Sequence, residues 1–152
     1  MELTQDFREF VELLNKYEVR YLIVGGYAVA FHGHPRYTKD LDVWLEPTPE
    51  NANRLLAALN EFGFGSLGLT VEDFIHPGWV VQLGRPPNRI DLLTSVQALE
   101  FAICIRRKES LPVSGVDVPF VNREDLITNK RAVGRFQDLA DIQQLSDPKD
   151  YG

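Results

Sequence analysis

Cysteine is almost missing from this chain of 152 residues, where Cys104 stands alone. A single thiol excludes an internal disulfide and fits a reducing compartment. Long apolar runs are missing too. Leu22–Val24 and its counterparts fall far short of the ~20 residues that span a bilayer. The opening Met1-Glu2-Leu3-Thr4 has neither the basic nor the apolar region of a secretory signal. The expectation is a cytoplasmic protein without a membrane partner. Positive charge is scarce: 16 Lys and Arg stand against 22 Asp and Glu, a net charge of −6. That balance argues against non-specific binding along a nucleic acid, which relies on neutralising phosphates. His32 and His34 flank a glycine beside Pro35, and His76 lies far along the chain. With no cysteine pair to help them, they do not make a zinc-site pattern.

What is present suits one globular domain over 1–152. The hydrophobic content is 44%, and a chain of this length buries roughly two-thirds of its unfolded surface. The basic residues are concentrated. Between 101 and 135 lie seven (Arg106, Arg107, Lys108, Arg123, Lys130, Arg131, Arg135) against four acids. That segment can meet one polyphosphate or an RNA end, or can be a solvated helix surface.

Phe7, Phe10, Val11, Leu14 and Tyr17 recur at helical spacing behind a capping Thr4. A strand is expected at Tyr21–Val24, then Gly25-Gly26 and a short helix reaching Phe31. Gly33-His34-Pro35 ends that helix, and a second strand follows at Asp40–Leu45. Thr48-Pro49-Glu50 reads as a helix start, with Ala52, Leu55, Leu56, Leu59 and Phe62 as its buried stripe and Gly63 as its stop. Val80–Leu83 and Arg89–Leu93 read as a hairpin around a five-residue loop. Val96–Arg107 is expected to be helical, Val113–Val118 a small hairpin, and Arg123–Val133 a helix capped by Asn122 and stopped by Gly134. A last helix covers Phe136–Leu145. Trp44, Trp79 and Phe101 are expected in the core, and Arg135 with Asp138 as an ion pair at helical spacing.

The chemistry gathers on the strands. Side chains at i and i+2 of a strand share a face, so Asp40 and Asp42 project together. Two adjacent carboxylates repel each other unless a cation lies between them. Mg²⁺, which takes oxygen ligands and often shares its shell with phosphates, fits that need. Asp91 in Arg89-Ile90-Asp91-Leu92-Leu93 would join them if its strand pairs beside Asp40–Leu45 in the right register; otherwise it pairs with Arg89 or Arg36. Such a triad can hold two Mg²⁺ ions about 4 Å apart for a displacement at phosphorus. Gly25-Gly26 lets backbone amides approach an anion without a Cβ in the way.

Val24-Gly25-Gly26, a gap of thirteen residues, Asp40-Leu41-Asp42 and the later Asp91 together resemble the polymerase-beta-like nucleotidyltransferase superfamily. Arg36-Tyr37-Thr38-Lys39-Asp40-Leu41-Asp42 and Asn129-Lys130-Arg131 through Arg135–Asp141 are similar to small bacterial proteins of the abortive-infection and toxin–antitoxin type. The resemblance implies an α/β (α+β) fold: a small mixed β-sheet flanked by helices, with further helices at the C-terminus. It implies Asp40, Asp42 and Asp91 as catalytic metal ligands, two Mg²⁺ ions, and an NTP such as ATP as co-substrate. By the same resemblance Gly25 and Gly26 bind phosphate, Lys130 meets the triphosphate and Arg36 helps to close the site. The implied reaction moves a nucleoside monophosphate to a hydroxyl of a tRNA or other RNA, a protein or a small molecule. The alternative is a toxin–antitoxin partner-binding module with weak or no catalysis.

Overall fold

The computed structural model describes residues 2–33, 38–85 and 88–146. Helix α1, Gln5–Lys16, starts where the Thr4 hydroxyl accepts the Phe7 amide, and it buries Phe7, Phe10, Val11 and Leu14. Strand β1, Tyr21–Val24, is buried throughout and runs directly into α2, Gly25–Phe31. After β2, Leu41–Leu45, the Thr48 hydroxyl caps α3, Pro49–Leu59. The chain then tightens through irregular turns, with Gly63 at φ 105, to a short 3₁₀ turn at Val71–Phe74. Strands β3, Val80–Leu83, and β4, Ile90–Leu93, form the expected antiparallel hairpin.

Two expectations are corrected downstream. The helix expected over 96–107 is only α4, Phe101–Cys104, followed by a 3₁₀ turn. Ala98 at φ 70 breaks the helical path before it, because a left-handed residue cannot continue a right-handed helix. The small hairpin is longer than expected. Strand β5, Glu109–Val113, pairs antiparallel with β6, Val116–Phe120, around Ser114 and Gly115, both at positive φ. That is the turn geometry whose twist matches a hairpin. Asn122 caps α5, Arg123–Val133, Gly134 ends it at φ 71, and α6 covers Phe136–Ser146. Trp79 is not core: it immediately precedes the edge strand β3, is half-exposed, and lies against the His76 ring.

The six strands form one mixed sheet in the order β3-β4-β2-β1-β6-β5. Its centre alternates direction: β1 pairs antiparallel with β2 and parallel with β6, while β2 pairs parallel with β4. Opposed residues share a face, so Ile23 and Val43 lie on one side and Val24 and Asp42 on the other. Helix α1 packs against α3 and against the turn that follows it, where Phe10 meets Phe62. Trp44, on the Asp42 face, is fully buried edge-on against Phe101 of α4. The buried Asn51 of α3 closes one end of the β1–β2 ladder. Its amide nitrogen donates to the carbonyls of Arg20 and Glu46, and its oxygen accepts the Arg20 amide at 2.7 Å.

Candidate active site

Parallel pairing of β2 with β4 sets Asp42 directly opposite Asp91, and antiparallel pairing with β1 sets Asp42 opposite Val24. The register condition on Asp91 is therefore met. Two carboxylates face each other across adjacent strands, beside the point where β1 becomes α2. Burial, then the charges of Asp91 and Asp40 and a hydrogen bond with Asp91, lift the Asp42 carboxyl from the usual 3.8 to about 7.

Arg89 joins the third acid. Its Nη2 donates to Asp40 Oδ2 at 2.7 Å, and its Nε and Nη2 fork onto the two oxygens of Asp91 at 2.9 and 3.2 Å. That hydrogen bond to Asp91, followed by the charges of Asp91, Asp40 and Asp42, holds the guanidinium more firmly protonated than usual. Asp91 is thus bonded to Arg89, the alternative stated for it, while its register also sets it opposite Asp42. The sequence signal for this bridge was available, since Arg89 precedes Asp91 by two residues and so shares its face.

Gly25 has a steric role that sequence alone did not reveal. At φ +69, it lies so close to Asp42 that an added Cβ would come 2.1 Å from Asp42 Oδ2. The residue is glycine because the carboxylate occupies the space of a side chain. Gly26 follows in the first turn of α2, a helix whose N-cap residue Val24 makes no side-chain capping bond. Arg36 and His34 lie outside the described residues. His32 Nε2 meets the Val121 carbonyl at 2.9 Å, and His76 Nε2 meets Glu72 at 2.8 Å.

The C-terminal helices bring a second charged group. Lys130 is 5% exposed, and its ammonium lies 2.9 Å from Asp141 Oδ2 and 3.4 Å from Asp138 Oδ1. Arg135 forks onto Asp138 with Nε at 2.7 Å and Nη2 at 3.2 Å, the expected ion pair. The Arg135 hydrogen bond holds the Asp138 carboxyl below its usual range. The hydrogen bond to Asp138, followed by that residue's charge, holds the Arg135 guanidinium more firmly protonated than usual, with a lesser contribution from the charge of Asp42. Lys130 is directed into the helix pair, whereas Arg135 stays exposed.

Arg89 bonds two of the three acids at the strand site, leaving a surplus of negative charge, and burial followed by the charges of Asp91 and Asp40 raises the Asp42 value. A divalent cation fits that surplus, because oxygen-only donors suit Mg²⁺. Among the described residues no group of three or more His, Cys, Asp or Glu is arranged to hold a metal ion, since Asp40 is turned to Arg89.

Residues 1–146 match the family described as "Nucleotidyltransferase of unknown function (DUF6036)". The chain belongs to that family. Solved structures agree in fold at low identity. A putative nucleotidyltransferase from Thermotoga maritima, TM1012, is 13% identical, with a TM-score of 0.63 over 97% of this chain and 98% of that one. The lincosamide antibiotic adenylyltransferase LnuA, solved with lincomycin bound, is 14% identical, with a TM-score of 0.59 over 96% and 98%. An antigenic nucleotidyltransferase-like protein from Paracoccidioides brasiliensis is 18% identical, with a TM-score of 0.51 over 95% and 78%. A search of curated proteins finds no match. The mixed sheet with flanking helices is thus the nucleotidyltransferase fold of this family. No helix among the described residues is long and apolar enough to cross a membrane.

Proposed function

We propose that this family member transfers a nucleoside monophosphate from a nucleoside triphosphate to a hydroxyl acceptor at the Asp42–Asp91 pair. The observation that carries the reading is the register: Asp42 opposite Asp91, against the backbone of Gly25, with Asp40 tied in through Arg89. In the reaction an acceptor oxygen attacks the α-phosphorus. A new O–P bond forms, the bond to the bridging α,β oxygen breaks, and pyrophosphate leaves. The acceptor's proton passes to an ionised carboxylate oxygen of the Asp42–Asp91 pair.

Asp40, Asp42 and Asp91 would hold Mg²⁺, two ions by family resemblance, whose charge offsets that of the entering and leaving oxygens. The remaining roles belong to the chain. Gly25 leaves Asp42 room to face Asp91, and the amides of Gly25-Gly26 border the phosphates. Arg135, exposed at the α5–α6 corner, supplies positive charge toward the site. Lys130 acts through Asp138 and Asp141 to hold that corner in place. LnuA, an antibiotic adenylyltransferase, makes small hydroxyl compounds a sensible first acceptor panel, with tRNA and protein chains alongside. A toxin–antitoxin partner chain belongs in the same screen as a protein acceptor.

The test is label transfer from α-³²P-labelled ATP, CTP, GTP and UTP with Mg²⁺ across that panel. Wild-type protein should label one acceptor, while Asp42→Asn and Asp91→Asn should fold normally and label none. Asp42→Asn labelling at the wild-type rate would refute the assignment.

A further inference from the structure

The guanidinium of Arg89 occupies the place that a metal ion on Asp40 and Asp91 would need. Its Nη2 is 2.7 Å from Asp40 Oδ2, and its Nε and Nη2 take both oxygens of Asp91 at 2.9 and 3.2 Å. The root of this side chain is fixed. The Arg89 carbonyl accepts the Leu41 amide at 3.0 Å and so extends the β2–β4 ladder by one bond. Its tip is within reach of solvent, for the side chain is 29% exposed. Asp42 lies across from Asp91 on β2, against Gly25. Mg²⁺ drawing oxygens from Asp40 and Asp91 would meet a like charge already bonded to those same oxygens. While Arg89 holds on, Asp40 is turned to it, and among the described residues no set of three acids closes.

We infer that Arg89 is a displaceable counter-ion that passes from Asp40 and Asp91 to the phosphate chain of the nucleotide as Mg²⁺ enters. The inference rests on the nucleotidyltransferase reading of the carboxylate site and adds a substrate-positioning residue to it. Geometry permits both halves of the exchange. The fork that spans the two oxygens of Asp91 spans two oxygens of a phosphate equally well. Charge drives it. A magnesium triphosphate brings positive charge to the acids and negative charge to the guanidinium, so each finds an opposite partner. Because the ladder anchors the backbone of Arg89, the move needs only side-chain rotation and leaves the register of Asp42 and Asp91 in place. In the absence of metal the same guanidinium relieves the repulsion between Asp40 and Asp91.

The experiment measures binding to the full chain by calorimetry, first of Mg²⁺ alone and then of inorganic tripolyphosphate at saturating Mg²⁺. Arg89→Met should tighten Mg²⁺ by about tenfold and weaken tripolyphosphate by about tenfold, the scale of a charge-assisted hydrogen bond lost on each side. Opposite signs cannot come from a damaged fold, which would weaken both. Arg89→Lys keeps a cation without the fork, so Mg²⁺ should stay near the wild-type value and tripolyphosphate should recover only in part. In the transfer assay Arg89→Met should need less Mg²⁺ for half-saturation while KM for the triphosphate rises. The hand-over is overturned if Arg89→Met leaves Mg²⁺ affinity unchanged or lowers it. It is equally overturned if tripolyphosphate binds that variant as tightly as wild type. Should wild-type protein bind neither probe, the reading of the carboxylate site fails and takes the inference with it. Should it bind both while Arg89 proves immaterial, only the hand-over fails.

Discussion

Replacing Gly25 with alanine tests the close approach of β1 to Asp42 most directly. Two costs are written into the geometry. At φ +69 a residue with a Cβ is strained by roughly 1–2 kcal/mol. The new methyl would also lie 2.1 Å from Asp42 Oδ2, so the carboxylate must move by about 1 Å to regain ordinary contact, at about 1 kcal/mol of rotamer strain. Together these give about 2–3 kcal/mol, or a Tm drop of roughly 4–12 °C for a chain of this size. A shift of about 1 Å at a reacting group lowers rate by about 100-fold. Activity should therefore fall much further than stability. A double-mutant cycle isolates the contact. In Asp42→Ala the nearest atom left is Cβ at 3.2 Å, so the added cost of Gly25→Ala should shrink to the backbone strain. Urea denaturation of the four proteins, with label transfer on the two that keep Asp42, provides the measurement. Additive stabilities, or Gly25→Ala labelling its acceptor at the wild-type rate, would refute the reasoning.

The remaining expectations concern charge. The Asp42 value of about 7 in the folded protein exceeds its ordinary 3.8, so the native state holds a proton that the unfolded chain releases. Its contribution, on the order of a few kcal/mol, is complete below pH ~4 and is lost as pH rises through about 7. Thermal melts in chelator should show this decline between pH ~4 and ~7 and a plateau above it, and Asp42→Asn should flatten it. Arg89→Met removes the one guanidinium shared by Asp40 and Asp91. The metal-free protein should melt lower, and millimolar Mg²⁺ should raise its Tm by more than it raises that of wild type. Lys130→Met strips a buried cation from Asp138 and Asp141 and should cost about 3–5 kcal/mol in urea denaturation. Adding Asp141→Asn to Lys130→Met should recover part of that loss.

Much of the architecture was legible because local signals agreed with the fold. Thr4, Thr48 and Asn122 cap the helices that their positions announce, and Gly134 stops α5 where expected. The pairing of carboxylates followed from strand alternation, but the register that opposes Asp42 to Asp91 is a tertiary fact. The helix expected across residues 96–107 failed at Ala98, whose left-handed backbone no composition rule anticipates for alanine. Trp79, expected in the core, is half-exposed because β3, which it precedes, lies at the sheet's edge with one neighbour. Lys130 was legible as a charged helical residue. Its burial against α6 depends on how two helices meet, which their separate periodicities leave open.

Asn51 stands at the end of the β1–β2 ribbon opposite the carboxylates, clasping the backbone at Arg20 and Glu46. Because side chains alternate, a slip of a single residue between the strands would turn Asp42 toward the side of Ile23 and Val43. A neutral amide remote from any ligand therefore guards the aim of the acids. Losing it would look like a chemical defect although no reacting atom had been touched.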